Sequence, residues 1–245
     1  MGNTQSSQTS ELDGQSRKRI PAWGLGIAVV VAGLVLIALS RGWIDQGPQT
    51  EAPSVAPIPV RYDPDRVMQY MTQICDIGKR PSGSPGMKQQ QEMLQKFFTD
   101  RGALVTFQTF EIRHPEDGSA VPMANLIASW HVDRPKRFLL CAHYDTRPYP
   151  DSDPQNKRGV FIGANDGASG TAALMELSNQ LSDLPDDVGV DIVLFDGEEF
   201  VWQQGRDDYF LGSNFFAEKY RASPPAVPYQ AGILLDMIGD RELKI

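Results

Sequence analysis

Residues 188–199 read Val-Gly-Val-Asp-Ile-Val-Leu-Phe-Asp-Gly-Glu-Glu, an apolar run that ends in a cluster of acids. Val188–Phe195 is nearly continuous in β-branched and other apolar side chains, which is typical of a buried central strand. Glu198 and Glu199 follow almost at once. Because functional groups of α/β sheets gather at the carboxyl ends of strands, this stretch predicts a central strand with a functional site at its end.

Similar apolar segments occur on both sides of this stretch. We expect strands at 104–112, 125–130, 137–142 and 233–237, and helices at 65–77, 170–181 and 213–220. Another helix is expected to begin at Ser84-Pro85 and to be stopped by Gly102. Strands that alternate with helices predict an α/β fold, a three-layer sandwich with a mostly parallel central sheet flanked by helices.

Acidic side chains or an imidazole also follow the other candidate strands. The segment 137–142 runs into His143-Tyr-Asp145, and the last strand runs into Asp236. Residues 163–170, Gly-Ala-Asn-Asp-Gly-Ala-Ser-Gly, place Asp166 at the start of a helix. Since the fold brings such ends to one edge of the sheet, these side chains are expected to converge.

Each acidic cluster alone has an ordinary structural explanation, because a strand-terminal Asp often caps a helix and adjacent glutamates usually lie in solvent. Together they favour a metal site, since Glu198 and Glu199 directly after an apolar strand are costly to bury without a cation. Carboxylate oxygens with a histidine nitrogen suit zinc. A second glutamate that does not bind the metal is what a metal-dependent reaction needs as a proton carrier.

Four ordered motifs resemble those of the zinc aminopeptidases and the related glutaminyl-peptide cyclotransferases. In chain order they are His143-x-Asp145, Gly-Ala-Asn-Asp166-Gly-Ala-Ser-Gly, Asp-Gly-Glu198-Glu199 and Leu-Leu-Asp236-Met. The segment 80–86, Arg-Pro-Ser-Gly-Ser-Pro-Gly, is similar as well, and the resemblance covers residues 64–240. An ordered set of this kind indicates the superfamily and its fold.

The resemblance implies a role for each matching residue. In the aminopeptidases, two zinc ions are bound by the residues that match His143, Asp166, Glu199 and Asp236. In the cyclases, one zinc ion is bound by the residues that match Asp166 and Glu199 and by a later histidine, while Asp236 would hold the substrate's α-amine. We therefore expect Glu198 as the catalytic residue, Asp236 as a substrate-binding residue, and as metal ligands Asp166, Glu199 and His143.

Two features favour the cyclase branch, which forms pyroglutamate from an N-terminal glutamine and releases ammonia. The connection Phe200–Leu211 is longer than is usual in aminopeptidases, which hydrolyse the first peptide bond, and the loop Thr146–Gly159 also resembles that of cyclases. Residues 164–170, by contrast, are closer to the aminopeptidase form. Trp202 is a candidate for the substrate pocket, although a core or surface position suits it equally well.

The N-terminal region predicts a membrane anchor. Residues 1–19 are interpreted as a disordered polar tail that ends in three basic residues, and residues 20–40 are an apolar run long enough to span a bilayer. The positive-inside rule places the tail in the cytoplasm and the catalytic domain in the periplasm, a lumen or the cell exterior. A cleaved signal peptide is the alternative. Residues 41–63 contain several prolines and are interpreted as a linker.

The composition limits the classes of partner that the protein can be expected to bind. The net charge is −8 and no Lys/Arg cluster lies in the soluble part, which argues against nucleic acid as a partner. The resemblance implies a peptide or protein N-terminus as the substrate. Cys75 and Cys141 could form one bridge in an oxidising compartment. Two buried thiols are the favoured alternative, because a chain of this size needs no disulfide scaffold.

The end of the chain departs from the pattern of the superfamily. Both branches carry a metal-binding histidine late in the domain, whereas the histidines here are His114, His131 and His143. The resemblance therefore implies that the domain 64–245 lacks its C-terminal part, that its sheet is incomplete and that these residues alone are poorly active. A non-catalytic, membrane-tethered remnant is a third hypothesis, which the retained acidic residues argue against.

Overall fold

The computed structural model describes residues 61–241. The predicted tail, the predicted membrane helix and most of the predicted linker lie outside these residues, so those assignments stay predictions. Within the described part, no helix combines the length and the apolar character that crossing a bilayer requires.

The described strands form one sheet in the order β1-β2-β4-β3-β5. They are β1 Leu104–Arg113, β2 Ala120–Trp130, β3 Lys136–His143, β4 Val188–Phe195 and β5 Tyr229–Leu234. The pairs β3/β4 and β3/β5 are parallel, whereas β1/β2 and β2/β4 are antiparallel. The sheet is thus mixed. Its antiparallel half comes from the β1–β2 hairpin, and its parallel half is the one that ends in the acidic motifs.

Helices cover both faces of the sheet, which confirms the α/β sandwich. Alternate residues of β4 belong to two cores, because successive side chains of a strand point to opposite faces. Ile192 and Leu194 pack in the larger core with helices α1 Pro64–Asp76, α2 Pro85–Thr99 and α3 Ser169–Ser178, whereas Val193 and Phe195 pack with Phe216. Phe216 belongs to α4, Leu211–Ala222.

Local sequence signals explain where the second helix begins and ends. The hydroxyl of Ser84 accepts a hydrogen bond from the backbone N–H of Met87 at 3.1 Å, and Pro85 occupies the first helical position. The chain then turns at Gly102, whose φ of +83° is unfavourable for other residues. The predicted start and stop of this helix are therefore confirmed.

Some element bounds differ from those predicted. Strand β5 begins at Tyr229 rather than Ile233, since it pairs with β3 from Arg137 to Cys141. Helix α3 ends at Ser178, before the predicted Leu181, where a separate short turn begins. At the β5 edge of the described sheet, Ile233 and Leu234 are each 56% exposed.

The two cysteines are not bridged. Cys141 is buried in β3 and Cys75 is partly buried in α1, and both are free thiols. This agrees with the favoured alternative from the sequence, although burial of Cys75 is incomplete.

Candidate metal centre

Four segments meet at one edge of the sheet. The parallel strands β4, β3 and β5 are neighbours, so their carboxyl ends lie side by side. His143 ends β3, Glu198 and Glu199 follow β4, and Asp236 follows β5. Asp166 lies in a distorted turn, Ala164–Ala168, just before α3.

His143 is the centre of this group. Its Nε2 lies 3.0 Å from Oδ1 of Asp166 and 3.5 Å from Oδ1 of Asp236. The ring is 1% exposed, and Nε2 makes no aligned hydrogen bond. One possible ligand atom from each of His143, Glu198 and Asp236 lies within 4.8 Å of the others. The geometry therefore fits a shared cation, with Asp166 beside it.

Asp145 contacts three residues of the centre, His143, Glu198 and Glu199, and fixes their positions. Its fully buried carboxylate accepts hydrogen bonds from the backbone N–H of Glu198 at 3.1 Å and of Glu199 at 2.9 Å. Its Oδ1 also lies 3.3 Å from Nδ1 of His143, which leaves Nε2 for the site. Carboxylates that orient a metal-binding histidine in this way are common in metalloenzymes. The His-x-Asp spacing was the signal for this role, which the sequence prediction did not assign.

Glycines allow the turn that carries Asp166 to approach His143. Gly167 has a φ of +94°, and a Cβ there would lie 2.7 Å from the backbone oxygen of Asp145 and 3.1 Å from Cε1 of His143. At Gly170 a Cβ would lie only 2.3 Å from the backbone oxygen of Leu235, the residue before Asp236. The positions of Asp166 and Asp236 therefore depend on two glycines, Gly167 and Gly170, where a larger residue does not fit.

Replacing Gly170 by Ala is expected to lower the free energy of unfolding by about 1–3 kcal/mol, because the added methyl overlaps a backbone oxygen. This outweighs the gain of up to about 1 kcal/mol that alanine normally contributes in a helix. Urea unfolding followed by circular dichroism measures the change. Gly232→Ala is the control, since a Cβ there would meet nothing closer than 3.6 Å. Equal stability of the two variants would contradict the close packing at Gly170.

The electrostatics of the centre indicate an excess of negative charge. Burial and neighbouring carboxylates raise the pKa of Glu198 and of Glu199 to about 7. Burial by itself lowers the pKa of His143, but three surrounding carboxylates outweigh it and hold that pKa well above its usual value. Like charges packed this closely cannot all ionise without a compensating cation.

Arg147 contacts Glu199 and Tyr209, and the sequence predicted neither contact. Its Nη1 lies 3.1 Å from Oε2 of Glu199 in an ion pair, and its Nη2 donates a hydrogen bond to the hydroxyl of Tyr209 at 2.6 Å. Arg147 lies in the loop 146–159 and Tyr209 in the connection 200–211, which the sequence prediction compared with the family only as whole segments. No local pattern marked either one.

The two predicted substrate-binding residues are placed differently. Asp236 lies at the centre and its side chain is 38% exposed, so a substrate could reach it. Trp202 packs in an aromatic cluster with His114 at 4.5 Å and Tyr149 at 5.5 Å between ring centroids. The described contacts do not bring Trp202 to the acidic group, and its role in the substrate pocket stays a prediction.

Comparisons with known proteins agree with this geometry. Residues 125–245 match Peptidase family M28. Glutaminyl-peptide cyclotransferase of Gloydius blomhoffii is 30% identical over 186 residues, which are 66% of this chain and 49% of that protein. The chain thus spans about half the length of the curated relatives it matches.

Solved structures extend the comparison to the fold. Glutaminyl cyclase of Fimbriiglobus ruber is 45% identical, with a TM-score of 0.69 over 75% of this chain and 64% of that one. A leucine aminopeptidase precursor from Bacteroides thetaiotaomicron is 31% identical, with a TM-score of 0.66 over 76% of this chain and 66% of that one. The chain therefore fits the superfamily that joins Peptidase family M28 with the glutaminyl-peptide cyclotransferases, and within it the cyclase-like branch.

Proposed function

We propose that the protein is a zinc-dependent glutaminyl-peptide cyclotransferase, which converts an N-terminal glutamine into pyroglutamate and releases ammonia. The observation that carries this proposal is the convergence of Asp166 and Asp236 on the buried Nε2 of His143, with a possible ligand atom of Glu198 within 4.8 Å of one from His143 and one from Asp236. The 45% identity to the glutaminyl cyclase of Fimbriiglobus ruber supports the branch.

The residues present fit a zinc ion. Nε2 of His143 is buried without an aligned hydrogen bond, and carboxylates surround it. We assign His143, Asp166 and Glu199 as the residues that would hold the ion. The possible ligand atoms that lie within 4.8 Å of one another belong to His143, Glu198 and Asp236, whereas the carboxylate of Glu199 pairs with Arg147. When bound, zinc would supply a Lewis acid that polarises the side-chain amide carbonyl of the substrate glutamine.

We assign Glu198 as the residue that carries the proton of the reaction. The α-amine nitrogen of the substrate attacks the side-chain amide carbon, and Glu198 accepts a proton from that nitrogen. The bond between this carbon and the amide nitrogen then breaks, and Glu198 returns the proton to the departing ammonia. A pKa of about 7 suits both directions of transfer near neutral pH.

Asp236 would position the substrate in this reaction. Its carboxylate is partly exposed at the centre, and its pKa lies below the usual value because of its contact with His143, with burial opposing. An ionised carboxylate is a suitable partner for the α-amine.

An aminopeptidase is the second candidate, favoured by the 31% identity to a leucine aminopeptidase precursor and by the presence of Asp236 in the possible ligand group. Turnover of a glutamine-blocked fluorogenic amide against a leucine-blocked one separates the two. Ring closure on the glutamine substrate without cleavage of the leucine substrate supports the cyclase. Cleavage of the leucine substrate with no ring closure overturns it.

We also propose that residues 20–40 anchor the protein in a membrane, with the catalytic domain outside the cytosol. The apolar run and the basic residues before it support this topology. Membrane fractionation and protease accessibility of the domain in intact cells test it. A catalytic domain protected from protease on the cytosolic side would overturn the proposed orientation.

Zinc is expected to stabilise the protein more at pH 7.5 than at pH 5.5. The pKa of Glu198 and of Glu199 is raised from 4.5 to about 7, so the metal-free protein loses folding stability as the pH rises through this window. The raised pKa of His143 acts in the same direction. A bound cation removes the repulsion and needs the deprotonated ligands. Thermal unfolding with zinc and with a chelator at both pH values measures the difference, and an equal zinc-induced shift at both would contradict the assignment.

A further inference from the structure

A cavity of about 270 Å³ lies among the loops beside the acidic centre. Its wall includes the aromatic rings of Tyr149 and Trp202 and the charged side chains of Asp151, Lys157 and Arg158. The two rings meet edge to face with their centroids 5.5 Å apart, and the guanidinium of Arg158 lies over Tyr149 at 4.7 Å from the ring centroid. The cavity therefore combines an apolar surface with two cations.

Two contacts join this cavity to the centre. Oδ1 of Asp151 lies 3.1 Å from Nε of Arg147, and Nη1 of the same arginine lies 3.1 Å from Oε2 of Glu199. Val201, which also lines the cavity, donates a backbone hydrogen bond to the carbonyl oxygen of Glu199 at 2.7 Å. The wall of the cavity is thus one guanidinium away from the carboxylate of Glu199. An extended peptide advances by about 3.3–3.6 Å per residue, so a peptide with its first residue at the centre can place its second or third side chain in the cavity.

The charges of the cavity are positive on balance. Asp151 is the only acidic side chain among the described residues that line it, and this carboxylate already pairs with Arg147. Lys157 and Arg158 are exposed, and neither forms an ion pair with another residue in the range 61–241. Cations without an acidic partner attract an anionic group and repel a cationic one. The cavity and the acidic centre beside it therefore prefer opposite charges.

We propose that this cavity binds the second or third residue of the substrate peptide and favours an acidic side chain there, with Lys157 and Arg158 as specificity-determining residues. Trp202 and Tyr149 provide the apolar surface on which the methylene groups of that side chain pack. The preferred substrate is then an acidic peptide with an N-terminal glutamine. The inference rests on the proposed function, because that function places the glutamine at the centre.

The test compares kcat/KM for short peptides that begin with glutamine and carry Glu, Gln or Lys at the second position, and for a second series with the same changes at the third. Wild type is expected to prefer Glu to Gln by on the order of 3–10-fold at one of these positions and to disfavour Lys, since exposed ion pairs are individually weak. The preference should decline as salt is added, because salt screens exposed charges. A preference that salt leaves unchanged overturns the inference, and this measurement needs no variant to fold.

Variants assign the preference to the two cations. Lys157→Gln/Arg158→Gln is expected to bring the ratio of the Glu and Gln peptides to about 1, and Lys157→Glu/Arg158→Glu to reverse the preference towards the Lys peptide. A loss of structure alone does not produce such a reversal. Lys219→Gln/Arg221→Gln is the matched control, since it removes two exposed cations from α4, one of which lies over the ring of Phe215 at 5.0 Å. This control should keep the preference of the wild type.

The results separate the inference from the proposed function. Equal turnover of all the glutamine peptides by the wild type, or a preference for Glu that the charge-reversed variant keeps, overturns the inference and leaves the function standing. Absence of turnover of every glutamine peptide overturns the function. The same peptides, labelled at the C-terminus, then serve as ligands in fluorescence anisotropy. Tighter binding of the Glu peptide that is lost in the neutral double variant supports the acidic preference of the cavity, and any other pattern overturns it.

Discussion

Replacing Glu198 by Gln is expected to lower turnover of an N-terminal glutamine substrate by about 10²–10⁴-fold, while zinc binding stays unchanged. Glutamine has nearly the same shape but cannot accept and return a proton, and general acid–base catalysis typically contributes a factor of this size. Comparing kcat with a zinc titration by calorimetry measures both effects in the same preparation.

Glu218→Gln is the matched control, because Glu218 is exposed on α4 and takes no part in the centre. It should have the turnover and the zinc affinity of the wild type. A large loss of zinc from Glu198→Gln would contradict the proton-carrier role and would make Glu198 a ligand. Possible ligand atoms of Glu198, His143 and Asp236 lie within 4.8 Å of one another. The zinc affinity of this variant therefore distinguishes a ligand from a proton carrier.

Replacing Asp166 by Asn is expected to weaken zinc binding by on the order of 100-fold or more and to abolish turnover. Residues that only orient ligands typically contribute about 10–100-fold to metal affinity. Loss of a charged ligand should therefore lower the zinc affinity by at least about the same factor. Asp166 lies 3.0 Å from Nε2 of His143, where it would share the ion. Calorimetry and the zinc-dependent shift in melting temperature measure the loss.

The matched control for this prediction is Asp183→Asn, at an exposed position in a short turn. Asp236→Asn is informative beside it. If Asp236 holds the substrate amine, this variant should keep its zinc and raise KM, whereas a ligand role predicts loss of zinc. Retention of full zinc affinity by Asp166→Asn would remove Asp166 from the ligand set.

Several features of the fold follow from local sequence patterns. The apolar run Val188–Phe195 predicted a central strand, and this strand lies between β2 and β3 in the sheet. The predicted helix start at Ser84-Pro85 is confirmed, because capping involves residues within one turn of each other. The upstream part of β2 was missed, since Ala120–Ala124 gains its strand conformation by pairing with β1 across a hairpin.

The acidic centre was also predictable in outline. Each motif directly follows a strand or opens a helix, and the carboxyl ends of parallel strands share an edge, so convergence follows from the fold class. The structure brings His143, Asp166, Glu198 and Asp236 close together, whereas the predicted ligand Glu199 is paired with Arg147. The aromatic cluster around Trp202 was not predictable, because a lone tryptophan has the same local pattern in a core and in a pocket.

The sequence by itself determined the fold class and the superfamily and indicated candidate residues for the centre, because strand periodicity, helix caps and short motifs are encoded by neighbouring residues. Only the tertiary structure decided how those residues are oriented and which charges surround them. Asp145 reaches the backbone of Glu199 across 54 positions, and Arg147 reaches Tyr209 across 62. Such contacts depend on the path of the loops through space. Electrostatic interactions depend on the distance between the charges and not on their separation along the chain.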